Sequence, residues 1–480
     1  MRTWRYFGLL LCLVLAACTA STSVDRSTKE ARPAADGRSV AQAEPKMPPL
    51  TPALENMRSF YRFHFLPDGY PGRLDDDGRV FAHPIYGTYV LSDYLSQFGK
   101  SPTPELRAAI RKVANATIKR MDEFHGALVF WYQPEPERGA RLYEKHYSGL
   151  TQGYYAVQLE RAGQALDDAA LKSAAKRAFD SLLIPDEDGG VYFDTRFGPV
   201  IAEVPQEPNS WILNGWQSAL ASAHKYAVIS KSPAAKELVA ESAKAMSRVL
   251  PLYDVPSVTN SRYGLTGFVY TRLIFDDKPT SVRKVQLEIP GEDVVDMPRR
   301  TGTRWQPYVA PGSVDAEGKP KSRTVDMNAV VSLASSPEPN RLGAQVDVTK
   351  ETTVRLEAKL GVFDPLSAAP MEVEWTTIGR SKVAAGKNQI SFDIPMDVVE
   401  RVVVPTNFAK KINGEQVNVY HSIHISRLRE LAAITGINDL DEWADKFSGY
   451  ICNWSKNDLY DGLKTPDPTS GDNVDPASMC

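Results

Sequence analysis

The stretch Asn209-Ser210-Trp211-Ile212-Leu213-Asn214-Gly215 sets polar side chains and a glycine at the head of helix-forming sequence. Asn209-Ser210 can cap that helix, and Asn214 then lies inside it, serving either an inward hydrogen bond or a packing accommodation. Ser232-Pro233 opens the next helix with a capping hydroxyl and a first-turn proline, and the helix runs through Leu238 towards Val249. Upstream, Thr103-Pro104-Glu105 makes the same kind of start. Leu106, Ile110, Val113, Ile118 and Met121 follow it at roughly helical spacing. Residues 150–162 and 171–182 read as further helices joined by short loops. Repeated helix pairs of this kind predict an antiparallel helical array or toroid.

The texture then changes. Val285, Leu287 and Ile289 alternate with polar residues, as do Val354, Leu356 and Ala358, and later Ile390, Phe392 and Ile394. A period of two bounded by Gly and Pro clusters predicts strands, so 278–412 reads as an inserted β-sandwich. Helix returns after Tyr420, with His424, Leu428, Leu431 and Ala432 near one face. The fold class is therefore mainly α with β. A first helical part spans 55–277 and the last helices 413–457. The tail 458–480, rich in Asp, Pro, Ser and Gly, is expected to be loosely ordered.

Arg2 and Arg5, the apolar run Phe7–Leu15 and the small residues before Cys18 read as a signal peptide over 1–17. Leu15-Ala16-Ala17-Cys18 resembles a bacterial lipobox, which implies lipidation of Cys18; the other reading is an ordinary signal peptide with an incidental cysteine. Thr19 follows where an aspartate would imply inner-membrane retention, so the expected location is the cell envelope, anchored in the outer membrane. Residues 18–54, with few large apolar side chains, are expected to form a flexible tether. No other apolar run is long enough to span a bilayer. Cys452 and Cys480 form a disulfide or remain two thiols; both stay open.

At 480 residues, the chain has room for one large core and for a second. The formal net charge of −3 gives no reason to expect nucleic-acid binding, and an acidic polymer would need a local basic patch. Whether the chain forms a homodimer is left open.

Two polar-aromatic runs carry the candidate chemistry. The first is Glu203-Val204-Pro205 leading into Asn209–Gly215; the second is Tyr420-His421-Ser422-Ile423-His424-Ile425. A loop carboxylate such as Glu203 becomes a base only when held against a substrate in a cleft. His421 and His424 share a helical face, but no metal-ligand pattern surrounds them, so hydrogen bonding is the expected role and no metal is expected. His146-Tyr147-Ser148-Gly149-Leu150-Thr151-Gln152-Gly153 starts another helix with several polar groups. Asp186-Glu187-Asp188-Gly189-Gly190-Val191 reads as a turn before a strand-like stretch, and Tyr263 sits beside Arg262 on a loop. Phosphate loop, nucleophile elbow and dinucleotide fingerprint are all absent, so no cofactor is expected.

Taken in order, these runs resemble the C-terminal domain of the D-glucuronyl C5-epimerase family, which converts glucuronate to iduronate in heparosan-type polymers. The resemblance is carried by Ala82-His83-Pro84-Ile85 with Tyr94, Tyr147-Ser148 with Thr151-Gln152-Gly153, and Asp188-Gly189-Gly190-Val191. It continues through Glu203 with Pro205, Leu213-Asn214-Gly215, Leu250-Pro251-Leu252-Tyr253-Asp254, Tyr263, and Tyr420-His421 with His424-Ile425. It covers about 55–275 and 417–455 and implies an incomplete (α/α) barrel.

The resemblance also implies proton abstraction and return at C5 of a uronic acid residue in an acidic polysaccharide or oligosaccharide, with Glu203, Tyr263 and Tyr420 as catalytic groups. Tyr147, Gln152, Asn214, His421 and His424 are expected to bind substrate. Arg262 or Arg272 could neutralise the sugar carboxylate, though neither comes from a family motif. The chain departs from the family pattern at Val204, where the family has tyrosine, and at Thr266, where it has arginine. A uronate lyase, or a non-catalytic polysaccharide-binding or export lipoprotein, therefore stand as alternatives.

Overall fold

The structure, a computed structural model, describes residues 44–475 apart from 75–77, 79, 133–144, 207, 293, 301–305, 364–369, 404–405, 407–410, 413–414, 417 and 467–472. Cys18 and Cys480 lie outside the described residues, while Cys452 is disulfide-bonded. No helix among the described residues is long and apolar enough to cross a membrane.

Ten α-helices are described: α1 (Pro52–Tyr61), α2 (Tyr86–Lys100), α3 (Pro104–Ile118), α4 (Gly149–Leu166), α5 (Ala169–Asp180), α6 (Leu213–Ser230), α7 (Pro233–Tyr253), α8 (Met396–Val402), α9 (Val419–Thr435) and α10 (Asn438–Trp454). The predicted starts of α3 and α7 are formed as read. Thr103 Oγ1 accepts the Leu106 N–H and Ser232 Oγ accepts the Ala235 N–H, each followed by a first-turn proline. Four helical hairpins result: α2 with α3, α4 with α5, α6 with α7, and α9 with α10. Their first members also touch in series, α2 to α4 to α6 to α9.

Of these, α4, α6 and α9 run side by side in one direction. Gly153 meets Ala219 near the starts of α4 and α6, and Gln164 Nε2 donates to Ile229 O near their ends, at 2.9 Å. Likewise Gln217 Nε2 donates to His424 O at 3.4 Å near the starts of α6 and α9, while Lys225 pairs with Glu430 at 2.9 Å further along. The N-terminal ends of α4, α6 and α9 therefore share one end of the helical layer. α6 is locked to α7 by fully buried Trp216, whose Nε1 donates to Ser242 Oγ at 2.8 Å.

Among the described residues two sheets are built from nine strands: β1 (Thr266–Phe275), β2 (Ser281–Glu288), β3 (Val295–Asp296), β4 (Tyr308–Val309), β5 (Thr324–Ser332), β6 (Asn340–Val348), β7 (Thr352–Phe363), β8 (Pro370–Val383) and β9 (Gly386–Ile394). They form two antiparallel sheets in the orders β4-β5-β1-β7-β8 and β3-β2-β6-β9. Phe392 of the second sheet packs on Gly379 of the first, and one apolar cluster runs through sheets and helices.

Two expectations shift. The strand region begins at Thr266 rather than 278, because Val269, Thr271, Leu273 and Phe275 are buried with strand alternation and make β1 the middle strand of its sheet. The tether also ends earlier than 54. Pro48 O accepts from Tyr94 Oη at 2.8 Å, Thr51 N–H donates to Asp93 at 3.1 Å, and Leu54 is buried. In the tail, Thr465–Pro466 pairs with Asn473–Val474.

Candidate active site

The site is assembled at the shared N-terminal end of the helical layer. The Gly149 N–H, in the first turn of α4, donates to Ala202 O at 3.2 Å, and a Cβ at position 149 would lie 2.5 Å from that oxygen. Glycine thus lets the 201–203 backbone cross the head of α4. The next residue, Glu203, is 4% exposed and lies against the first turn of α6. Asn214 Nδ2 is 3.5 Å from Glu203 Oε2, and a Cβ at Gly215 would sit 2.2 Å from the same oxygen and 2.3 Å from Glu203 Cβ. The close approach explains the glycine, and the helix N-terminus favours the carboxylate there.

Asn209-Ser210 does not cap α6. The cap position is Ile212, which has no side-chain acceptor, and the Leu213 N–H donates instead to Tyr263 O at 3.0 Å. The helix that carries Asn214 and Gly215 is thus capped by the backbone of the tyrosine loop. Trp211 adopts φ 52°, a left-handed conformation that is costly for a bulky residue. It is held by its N–H to Asn209 Oδ1 at 3.0 Å and by Tyr253 Oη donating to Trp211 O at 2.6 Å. Gly264 passes close to Ser210 O, and Thr266 Oγ1 donates to Asn209 O. Tyr263 and Tyr420 then meet edge to face, ring centroids 4.6 Å apart at 72°.

Beneath Tyr420 lies a directed histidine chain. His421 Nε2 is 2.8 Å from Phe447 O, which can only accept, so that nitrogen carries the proton. His421 Nδ1 therefore accepts from Ser261 Oγ at 2.7 Å, and the Ser261 oxygen accepts in turn from His424 Nδ1 at 2.9 Å. What remains is the Nε2 lone pair of His424, fully buried and without a hydrogen-bond partner among the described residues. Burial pushes the His421 imidazole down to about 4; burial and then the neighbouring His421 push His424 well below its ordinary value, so both are neutral. His421 also packs among Phe447, Tyr450 and Trp454, with ring distances of 5.1 to 6.4 Å. Its expected substrate contact gives way to this buried role joining α9 to α10.

Three other expected binding residues hold the protein's own backbone. Tyr147 is buried and its hydroxyl donates to Ser181 O at 2.9 Å, burial pushing its ionisation upward. Gln152 donates to Leu128 O at 2.6 Å and to Ser181 Oγ at 3.1 Å, and accepts from the Phe130 N–H at 3.1 Å. Arg262 donates to the carbonyls of Leu252, Glu400 and Val403, with burial lowering it to about 10, so it remains a cation clamping α8 rather than a carboxylate receiver. Arg272 reaches across the sheet to Glu357, its cross-strand neighbour on β7, at 2.8 Å.

The sequence reading passed over Tyr154, Ser218 and Arg427. Tyr154 lies beside Ser218 and Arg427, and within electrostatic reach of Glu203. Burial raises its ionisation, and the Arg427 guanidinium offsets this only in part, leaving a protonated phenol. Arg427 is buried and pairs with Glu430, which Lys225 also contacts. Burial alone would raise Glu430, but Arg427 and then Lys225 outweigh it and hold the carboxyl low. The one available signal was spacing, since Tyr420, His424 and Arg427 fall at i, i+4 and i+7. Among the described residues no group of three or more His, Cys, Asp or Glu side chains could hold a metal ion. Carboxylate, phenols and a bare imidazole nitrogen are the equipment for moving protons.

Residues 127–274 match the family D-glucuronyl C5-epimerase C-terminus. The D-glucuronyl C5-epimerase match takes in Glu203, Asn214 and Tyr263, while Tyr420 and the histidines come from beyond it. A solved C. acetobutylicum ATCC 824 glycoside hydrolase from family 105 aligns at 17% identity over 34% of this chain, with a TM-score of 0.27. The chain covers about half of that structure, 48%, and the likeness carries no argument. No curated protein matches the chain.

Proposed function

We propose that this chain is a C5-epimerase-like isomerase acting on uronic acid residues of an acidic polysaccharide. The observation that carries the reading is the Tyr263–Tyr420 ring pair, tied through the Tyr263 carbonyl to the helical turn that holds Glu203. The proton at C5 is acidified by the adjacent carboxylate. A base removes it, the electron pair passes into the carboxylate as an enediolate, and an acid on the opposite ring face returns a proton to C5. No atom is gained or lost. Glu203, Tyr263 and Tyr420 are the proton-transfer groups in this proposal. Asn214 orients Glu203, and His424 Nε2 accepts a hydrogen bond from a hydroxyl.

Val204 and Thr266 mark what the family's usual equipment lacks here. Thr266 spends its hydroxyl on Asn209 O, so it does not replace a cation. The serial contacts of α2, α4, α6 and α9 support the further proposal of an incomplete (α/α) barrel with the two sheets as a sandwich. The lipobox-like Cys18 supports a place in the cell envelope, anchored in the outer membrane, where polysaccharide would be met.

Incubating the chain with heparosan in deuterated water tests the reading. Deuterium at C5 without chain cleavage is the expected result. Absorbance from a new C4–C5 double bond would instead make the chain a lyase, the enediolate expelling the 4-O substituent. Binding with no exchange would make it a carbohydrate-binding protein with a degenerate site.

A further inference from the structure

We propose that the β1–β7–β8 part of the outer face of the five-stranded sheet, where Tyr270 and Lys359 are exposed, is a binding track for the uronate polymer, continuous with the Glu203–Tyr263–Tyr420 site; this rests on the reading above. β1 begins at Thr266, three residues beyond Tyr263, and the Thr266 side chain touches Asn209 O in the site loop. Strand alternation places Phe268, Tyr270 and Arg272 on the face that Thr266 starts, while Val269, Thr271 and Leu273 are buried behind it. From Thr266 to Arg272 that row is about 20 Å long, at roughly 3.3 Å per residue. It leads from the candidate site across the sheet.

The row has the chemistry of a sugar-acid receptor. Phe268 and Tyr270 rings stand 6.0 Å apart, and Tyr270 is 42% exposed. The Arg272 guanidinium lies 4.0 Å over the half-buried Trp375 ring on β8 and is held there by Glu357. Lys359, exposed, stands opposite Trp375 in the β7–β8 register. A single exposed aromatic residue is ordinary, but two exposed or half-buried rings in a row, with a third under a fixed cation, form an amphipathic strip. Pyranose rings present C–H faces that pack on such rings, and Lys359 supplies a cation for their carboxylates. That combination selects an acidic polysaccharide over a neutral one.

The test is calorimetric titration of the full chain with heparosan, with a heparosan tetrasaccharide and with dextran. Tyr270→Ala, Lys359→Glu and Trp375→Ala are compared with the native chain, each checked by thermal unfolding. Because Trp375 supports Arg272, Tyr270→Ala and Lys359→Glu are the two variants confined to the surface. Each substitution is expected to weaken heparosan binding about tenfold, the scale of one lost aromatic or charge contact, and to leave tetrasaccharide binding unchanged. Added salt should erase the Lys359→Glu effect but not the Tyr270→Ala effect. Native affinity in both surface variants, equal affinity for polymer and tetrasaccharide, or equal binding of dextran would overturn the proposal. Heparosan binding that depends on Tyr270 and Lys359, with no C5 exchange, would sink the epimerase reading and leave the track standing.

Discussion

Gly215→Ala isolates the contact that places Glu203. The new Cβ would lie 2.2 Å from Glu203 Oε2, 2.3 Å from Glu203 Cβ and 2.7 Å from its Cγ. Rotating the carboxylate relieves only the first of these. The Cβ–Cβ overlap requires the 202–204 backbone to retreat by roughly 1 Å to reach ordinary contact, which sets Glu203 off its position by a similar amount. Overpacking of this sort costs about 1–3 kcal/mol, while alanine in place of glycine in α6 returns up to about 1 kcal/mol. The net loss of stability is therefore about 0–3 kcal/mol, and the protein should remain folded. A misplacement of about 1 Å in a reacting group costs on the order of 100-fold in rate. The assay is C5 deuterium incorporation into heparosan, beside urea unfolding of the same preparation. Loss of exchange is expected in a protein that still unfolds cooperatively, its midpoint lowered by no more than that loss of stability. Full exchange in a folded Gly215→Ala protein would refute the placement of Glu203 as a reacting group.

Tyr420→Phe keeps the ring packed on Tyr263 and should abolish C5 exchange while leaving heparosan binding intact; unchanged exchange in an active preparation shows the phenol is not a proton-transfer group. Ser261→Ala removes the hydroxyl joining the two imidazoles, should cost about 1–3 kcal/mol in urea unfolding, and should release the tautomer of His424, visible as a change in its ring nitrogen shifts. Stability should also depend on pH. The folded His421 value, about 4, lies below the unfolded value of about 6.5, so the unfolded chain binds more protons between them. The unfolding free energy should be full above pH ~6.5 and fall as pH drops towards 4, by up to about 1.4 kcal/mol per unit from this residue; a flat profile contradicts its buried neutral state. Arg427→Met leaves Glu430 buried with Lys225 alone and should cost about 3–5 kcal/mol in denaturant unfolding, whereas a near-neutral result would mean that Lys225 suffices.

The helical hairpins were legible in the sequence because their causes are local. Thr103-Pro104 and Ser232-Pro233 cap their own helices, and the apolar spacing that follows is set by one turn of backbone. Three of the strands that form the sheets, β2, β7 and β9, were legible for the same reason, since alternation at Val354, Leu356 and Ala358 is a property of the chain itself. β1 was missed because its polar face carries Phe268 and Tyr270, which blur a period-two pattern that only burial resolves.

The side chains named as a site were visible as types, but their tasks were not. Tyr147, Gln152 and Arg262 look like ligand residues until the carbonyls they reach, 10 to 141 residues away, are brought beside them by packing. Arg427 and Tyr154 looked unremarkable until two helices distant in sequence met. The sequence alone determined the capped helices and the strands with clean alternation, and that carboxylate, phenol and imidazole groups are available. Tertiary structure alone decided that the Tyr263 carbonyl caps α6, that Gly215 yields room for Glu203, and that among the described residues His424 Nε2 is left bare. Hydrogen-bond direction depends on which acceptor stands opposite each donor, and that is a property of the folded chain.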